Sequence, residues 1–298
     1  MNWLFFALLA PATVSIVVFV DKYLLEKEVK DYRGMPLYGA IMAFIFGTLF
    51  WVANSFPTLT PRDTILILVT GLLTTFGSAF YFRVIASEEA SNVLILIQLS
   101  PIIVLILSVV FLREAITAQQ LIGFFLILAG TIGVTLKKQN LALHFSPPFL
   151  FMLLAAFCWA SSSVLFKFVI DTNSFVKVVS YESWGMAIGG LILYVALPSI
   201  RNAFNHTNRS ISKKALAVIF INEGVFVASR LFTFLALVTG AVTLVTVLGS
   251  TSVFFGILYG LLLMLIAPKI FRESTNRKEL VKKLIFAAIV FIGIMLIS

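Results

Sequence analysis

The chain is dominated by apolar runs about as long as the hydrocarbon core of a bilayer is thick. A spanning helix needs about 20 mostly apolar residues. Ten segments meet or approach that length: 2–21, 36–54, 64–85, 91–112, 119–137, 148–169, 177–198, 213–237, 240–266 and 280–298. The connections between them are short and carry the breakers, as in "FPTLTPRD" (56–63) and "HFSPP" (144–148). Lipid offers no partner for an unpaired backbone N–H or C=O, so apolar runs of this length must close their hydrogen bonds internally, as helices. The sequence therefore predicts an all-α integral membrane protein with ten transmembrane helices. Composition agrees: 60% of residues are hydrophobic and 12% are charged, against about 25% charged in an ordinary soluble domain. The first run has no basic residues before it and reads as a span rather than a cleaved signal.

Several function classes drop out. A formal charge of +9 would suit nucleic acid, but the basic residues sit in short connections between apolar runs, where membrane orientation places them. No nucleic-acid partner is expected. Cys158 is the sole cysteine, so there is no intramolecular disulfide and no cysteine-cluster metal site. His144 and His206 fall in predicted loops, and no His/Asp/Glu grouping has metal-ligand spacing. No metal, cofactor or catalytic residue is expected, and the chain does not read as an enzyme.

The two halves resemble each other. "VDKYLLEK" (20–27) and "LFKFVIDT" (165–172) each close the first span of a half, aligning Lys22 with Lys167. "FYFRVIASEEASNVL" (80–94) aligns with "LFTFLALVTGAVTLV" (231–245), and "LAGTIGV" (128–134) with "VFIGIML" (290–296). A duplicated unit of five spans must insert upside down relative to the first copy. The expected plan is two inverted five-helix repeats, 1–140 and 141–298, with a substrate site near the midplane between them.

Basic residues concentrate in the odd-numbered connections: Lys22, Lys27, Lys30 and Arg33 after span 1, Arg201, Arg209, Lys213 and Lys214 after span 7, and the run from Lys269 to Lys283 before span 10. The positive-inside rule puts these in the cytoplasm and both termini outside.

Spans 4 and 5 are the most distinctive stretch, "ASNVLILIQLSPIIVLILSVVFLREAITAQQLIGFFLILAGTIGV" (90–134). With Pro101 in mid-span, Glu114 in the following loop, Gln120 and Gly123 opening span 5 and Gly130 in its second half, it resembles the EamA unit of the drug/metabolite transporter superfamily. The opening "DKYLLEK" is also similar to members of that family. The second copy departs from the pattern, with Ser252 where Pro101 stands and a longer connection before span 10. The resemblance implies a carrier for small organic solutes, usually an exporter, driven by an ion gradient or by exchange. It also implies cytoplasmic termini, against the charge pattern, so the orientation stays open.

Individual residues divide between packing and function. "GMAIG" (185–189) and "GILYG" (256–260) have the GxxxG spacing that brings helices close. Pro101 is expected to kink span 4. Glu114 is expected to favour the N-terminus of span 5 by its charge. Glu88 and Glu89 border span 4 and read as solvated. Glu182 lies in the first turns of span 7, near enough to the edge to be snorkelling. "INEGVFVASR" (221–230) is different, because it sets Glu223 and Arg230 within an apolar span. An ionised side chain near the bilayer centre costs roughly 2.5–3.5 kcal/mol on insertion scales. Seven residues apart, the two share a helical face but stand about 10 Å apart along the axis. They cannot pair with each other. Each needs another partner, water or a substrate group, and an ion pair to a neighbouring helix competes with a pocket role.

The resulting expectation is a multi-pass transporter of the plasma membrane, working by alternating access as a monomer or homodimer. The candidate pocket is Arg230, Glu223, Asn222, Gln98 and Tyr81, with Ser162 and Thr246 as further lining. Arg230 would hold an anionic group of the metabolite. Glu223 would hold a cationic group or a coupling proton, with Glu182 next in line for the proton. The alternative is a flippase, or a membrane-embedded enzyme acting on lipid-linked intermediates.

Overall fold

The computed structural model describes residues 2–87, 96–135, 147–256, 258–259 and 277–297. The regular structure of the described residues is all helical, with no strands among them. The helices are α1 (Trp3–Lys27), a 3-10 turn (Tyr32–Gly34) leading into α2 (Met35–Ala53), α3 (Pro61–Ile85) and α4 (Leu99–Leu107), which runs into a π turn (Ser108–Leu112). There follow α5 (Ala118–Thr135), α6 (Pro147–Ile170), α7 (Phe175–Ala196), α8 (Pro198–Ser210), α9 (Lys213–Thr239), α10 (Val242–Gly249) and α11 (Arg277–Ile297).

Among the described residues six helices are long and apolar enough to cross a membrane: α1, the 3-10 turn with α2, α3, α6, α7 and α9. Four shorter apolar helices, Leu99–Leu112, Ala118–Gly133, Val242–Gly256 and Leu284–Ile297, fall in the runs expected as spans 4, 5, 9 and 10. Parts of those runs, including 91–95 and 260–266, lie outside the described residues, as do Glu88, Glu89 and His144. The protein is a multi-pass membrane protein.

Local chemistry sets the helix ends. Asn2 caps α1 by accepting from the Leu4 N–H (3.1 Å), Thr60 caps α3 through Asp63, and Ser212 caps α9 through Ala215. Each supplies an oxygen to one of the N–H groups that a helix start leaves unpaired. Pro36 and Pro61 stand in first turns, where a missing N–H costs nothing. Pro101 acts one turn earlier than mid-span. The helix breaks at Gln98 and restarts at Leu99, with Pro101 in the new first turn.

Close packing comes from glycine. A Cβ on Gly71 of α3 would collide with the Glu182 carbonyl of α7, and one on Gly185 with the Leu68 carbonyl of α3. Of the two GxxxG motifs, 185–189 therefore does what its spacing predicts. Among the described residues Gly256 of the other has only the Phe19 ring near it, at 3.8 Å, and Gly260 lies outside them. Gly123 of α5 and Gly293 of α11 face each other, each carbonyl blocking a side chain on the other. In the bundle α1 packs on α9, α6 on α3, α2 on α7, α4 on α10 and α5 on α11.

One connection is not a loop. Residues 198–210, including His206, form α8, whose buried positions Ile200, Ala203 and Thr207 share one face. Gly34 admits it: a Cβ there would stand 2.9 Å from the Phe204 backbone. The Tyr38 hydroxyl donates to Asn208 Oδ1 (2.8 Å). Next to this corner Arg33 donates to both Asp31 oxygens and holds that carboxyl below the usual carboxylate range.

Candidate functional site

α9 runs through the bundle beside α1, and the two bring a polar cluster together. Asn222, 4% exposed, donates through Nδ2 to Asp21 Oδ1 at 2.8 Å. Asp21 is 5% exposed and sits inside α1, well before the helix ends at Lys27. The next residue of α9, Glu223, is 7% exposed and has no hydrogen bond or ion pair to any described residue. Its carboxylate faces Gly39 of α2, where a Cβ would stand 3.0 Å from Oε2. Asp21 is close enough to act electrostatically on both Glu223 and the buried Tyr81 hydroxyl of α3. The Tyr81 ring in turn packs against Trp159 of α6, with centroids 5.6 Å apart. The structure thus places Glu223, Asn222 and Tyr81 around Asp21.

Two acceptor oxygens in this region have no partner among the described residues: Asn222 Oδ1 and Gln98 Oε1 are both buried without a hydrogen bond there. A buried unpaired polar atom costs about 1–3 kcal/mol and calls for a reason. Ile97 and Leu99, on either side of Gln98, pack in the same apolar cluster as Leu24, Tyr81 and Trp159. Gln98 stands at the break before α4, and interrupted helices are where transporters expose polar groups.

Arg230 lies two turns further along α9 and belongs to a different arrangement. Its guanidinium bonds Glu182 of α7, touches the Met186 sulfur and lies near the rings of Phe226 and Phe234 (5.8 and 5.1 Å). Glu182 is therefore neither snorkelling nor solvated. It is 1% exposed, because the glycine-mediated approach of α3 covers α7 at this level. The partner required by Arg230 is thus a side chain of the protein.

The remaining candidates serve the helices. The Ser162 hydroxyl pairs with Thr74 (2.9 Å), joining α6 to α3, and Thr246 donates to the Val242 carbonyl of its own helix (2.7 Å). Glu114 does cap a helix, but the helix is α10. It accepts from the N–H groups of Val242 (2.6 Å) and Thr243 (3.2 Å) and from the Thr243 hydroxyl (2.6 Å). The sequence expectation ends the first run at residue 21 and does not single out Asp21. The signal was present, since "DKYLLEK" continues without Pro or Gly and extends the helix by a turn and a half. No group of three or more His, Cys, Asp or Glu that could hold a metal occurs among the described residues.

A groove of about 840 Å³ opens between α2 and α7, lined by Ile41, Phe44, Trp184, Ile188 and Leu191 among others. It is apolar, and none of the buried charged residues reaches it.

Residues 1–136 match the EamA-like transporter family. The matched stretch makes up the N-terminal half of the chain. Over 133 residues the chain is 29% identical to a protein of Acidianus ambivalens described as an uncharacterized transporter in the sor 3′ region. That match covers 44% of this chain and 50% of the relative, so the chain spans about half the length of the curated relative it matches. A solved crystal structure, 18% identical, superposes with a TM-score of 0.67 over 99% of this chain and 96% of that one. At that identity the likeness concerns the fold alone. It nonetheless extends over both halves, whereas the EamA match covers the first.

Proposed function

We propose that this EamA-like chain is a secondary transporter of small organic metabolites, acting from the plasma membrane as an exporter. Its two halves, 1–140 and 141–298, are inverted five-helix repeats that rock about a midplane pocket and expose it to each side in turn. The pairing of helices supports this reading. If α1, α2, α3, α4 and α5 correspond to α6, α7, α9, α10 and α11, then the α1–α9 contact is the image of the α6–α3 contact. The contacts α2–α7, α4–α10 and α5–α11 are then their own images. A two-fold axis in the membrane plane predicts this pattern.

The observation that carries the functional reading is Glu223. A carboxylate in the interior of a spanning helix, partnerless among the described residues and beside a second carboxylate, weakens the bundle unless it is used. A proton or a cationic solute group is what it can bind, so Glu223 serves as the coupling site. Arg230 and Glu182 form the ion pair that orders α7 against α9.

The test uses proteoliposomes with a pH-sensitive dye inside, challenged with amino acids, nucleobases, sugars and organic cations. Solute-dependent proton movement is expected with the parent and not with Glu223→Gln. If no solute moves protons in the parent, the proton-coupled reading fails. The groove between α2 and α7 favours one other reading, a flippase whose substrate tail enters from the lipid. Movement of a labelled lipid-linked headgroup without solute flux would select it.

A further inference from the structure

The buried polar atoms around Asp21 all want the same thing. The Asp21 and Glu223 carboxylates accept hydrogen bonds and, ionised, cannot donate them. Asn222 could donate, but its NH₂ is directed at Asp21 (2.8 Å). That orientation is forced, because turning the amide over would set its oxygen against an acceptor. It leaves Asn222 Oδ1 buried on the other limb of the same amide with no donor among the described residues. The orphan is thus a consequence of the Asp21 contact and lies at the same place. Glu223 adds a further unpartnered carboxylate one residue along.

Buried cations elsewhere are already taken. Arg230 is held by Glu182. Lys167, 14% exposed, pairs with Asp171 (2.9 Å) and donates to the Leu237 carbonyl (2.9 Å) at the end of α9. No buried cation is left unpaired among the described spanning helices, while an uncompensated cluster of buried acceptors is. The absence of a side chain at Gly39 lets the Glu223 carboxylate lie close against α2. The Tyr81 and Trp159 rings supply an aromatic wall near Asp21, suited to a cation's apolar part.

We propose that Asp21, Asn222 and Glu223 form the binding site for a primary ammonium group, and that the solute carried is an organic amine. This rests on the transport reading above and names its substrate class. An ammonium brings three N–H donors. They meet one oxygen each from Asp21, Asn222 and Glu223, which relieves the orphaned amide oxygen and screens the two carboxylates from each other. A carboxylate or phosphate solute would find only acceptors here and would be repelled.

The experiment uses the full-length protein in detergent and dicyclohexylcarbodiimide, which modifies carboxyl groups buried in apolar surroundings. Modification of Asp21 and Glu223 is followed by peptide mass spectrometry. Benzylammonium and 1,4-butanediammonium should slow labelling of these two residues several-fold, whereas benzoate, benzyl alcohol and tetramethylammonium, which has no N–H, should not. Asn222→Ala should raise the amine concentration needed by about tenfold, the worth of one hydrogen bond to a charged group. Labelling of neither residue, rates unchanged by amines, or protection by sodium or benzoate instead would overturn the proposal. The two readings fail separately. Amine protection without flux in proteoliposomes keeps this site and removes transport, and flux of a neutral or anionic solute without amine protection does the reverse.

Discussion

Arg230 of α9 and Glu182 of α7 form an ion pair in the interior of the bundle, with Glu182 1% exposed. The pair links two helices from the second half of the chain, at a level where α7 also touches α3 through Gly71 and Gly185. Its neutrality as a unit is what makes two charges tolerable there. Removing one partner leaves the other buried and uncompensated, at about 3–5 kcal/mol. Arg230→Met should therefore lower the thermal unfolding midpoint in detergent, and Glu182→Gln with Arg230→Met should restore most of it. If Arg230→Met is as stable as the parent but inactive, the guanidinium is acting on solute.

Much of the fold was legible because membrane spans announce themselves one at a time. Each apolar run carries its own length, and no partner is needed to recognise it. The site was less legible for the complementary reason. In the sequence Asp21 and Glu182 both stand near the ends of apolar runs, and their depth depends on helices remote in sequence: α9 brings Asn222 to Asp21 and Arg230 to Glu182. Glu114 shows the same limit. Its role as a helix cap was readable, but the helix it caps begins 128 positions later. α8 was missed because it is short and polar, although Pro198 at its start and the spacing of Ile200, Ala203 and Thr207 marked it.

Glycine substitutions separate packing from propensity. In an unencumbered helix Gly→Ala stabilises by about 1 kcal/mol. Gly249, with no described residue within 4 Å of where its Cβ would stand, should follow that rule or be neutral. Gly71→Ala and Gly185→Ala meet backbone carbonyls of the facing helix and should instead destabilise, by about 1–3 kcal/mol. Thermal unfolding of the three variants in one detergent checks the sign directly. Equal behaviour at all three positions would mean that α3 and α7 are not in close contact.

Glu114 ties the turn after α4 to the start of α10 through two backbone N–H groups and a hydroxyl. Glu114→Ala should cost about 0.5–2 kcal/mol, the range for loss of a helix cap. Glu114→Gln keeps an acceptor oxygen and should lose less. The loss should also appear locally, as faster hydrogen exchange at Val242 and Thr243. Unchanged exchange at those two amides would remove the capping role.

Orientation can be decided by labelling. With Cys158 replaced, single cysteines at the exposed positions Lys27 and Arg209 should react from the cytoplasmic side, and those at Thr58 and Thr172 from outside. The opposite pattern would place the termini in the cytoplasm, as the EamA resemblance implies, and keep the helix count. Reaction of Lys27→Cys and Thr58→Cys from one side would break the count. The sequons at Asn205 and Asn208 are poor reporters, because both lie within α8 and Asn208 is bound by the Tyr38 hydroxyl.

Coupling is tested best by comparing the two carboxylates, because their surroundings differ. Asp21 already receives a hydrogen bond from Asn222, whereas Glu223 receives none from any described residue. Glu223 is thus the freer of the two to take up and release a proton as the pocket changes sides. Glu223→Gln should abolish accumulation of an amine against its gradient under an imposed pH difference, while exchange of amine for amine partly survives. Asp21→Asn removes the negative charge that meets the ammonium group, so binding itself should weaken, with exchange and accumulation falling together by tenfold or more. The measurement is uptake of labelled amine into proteoliposomes with and without a pH gradient. If Glu223→Gln still accumulates amine like the parent, the proton is carried elsewhere. Asp21 is then the next residue to replace, ahead of Glu182, which is committed to Arg230.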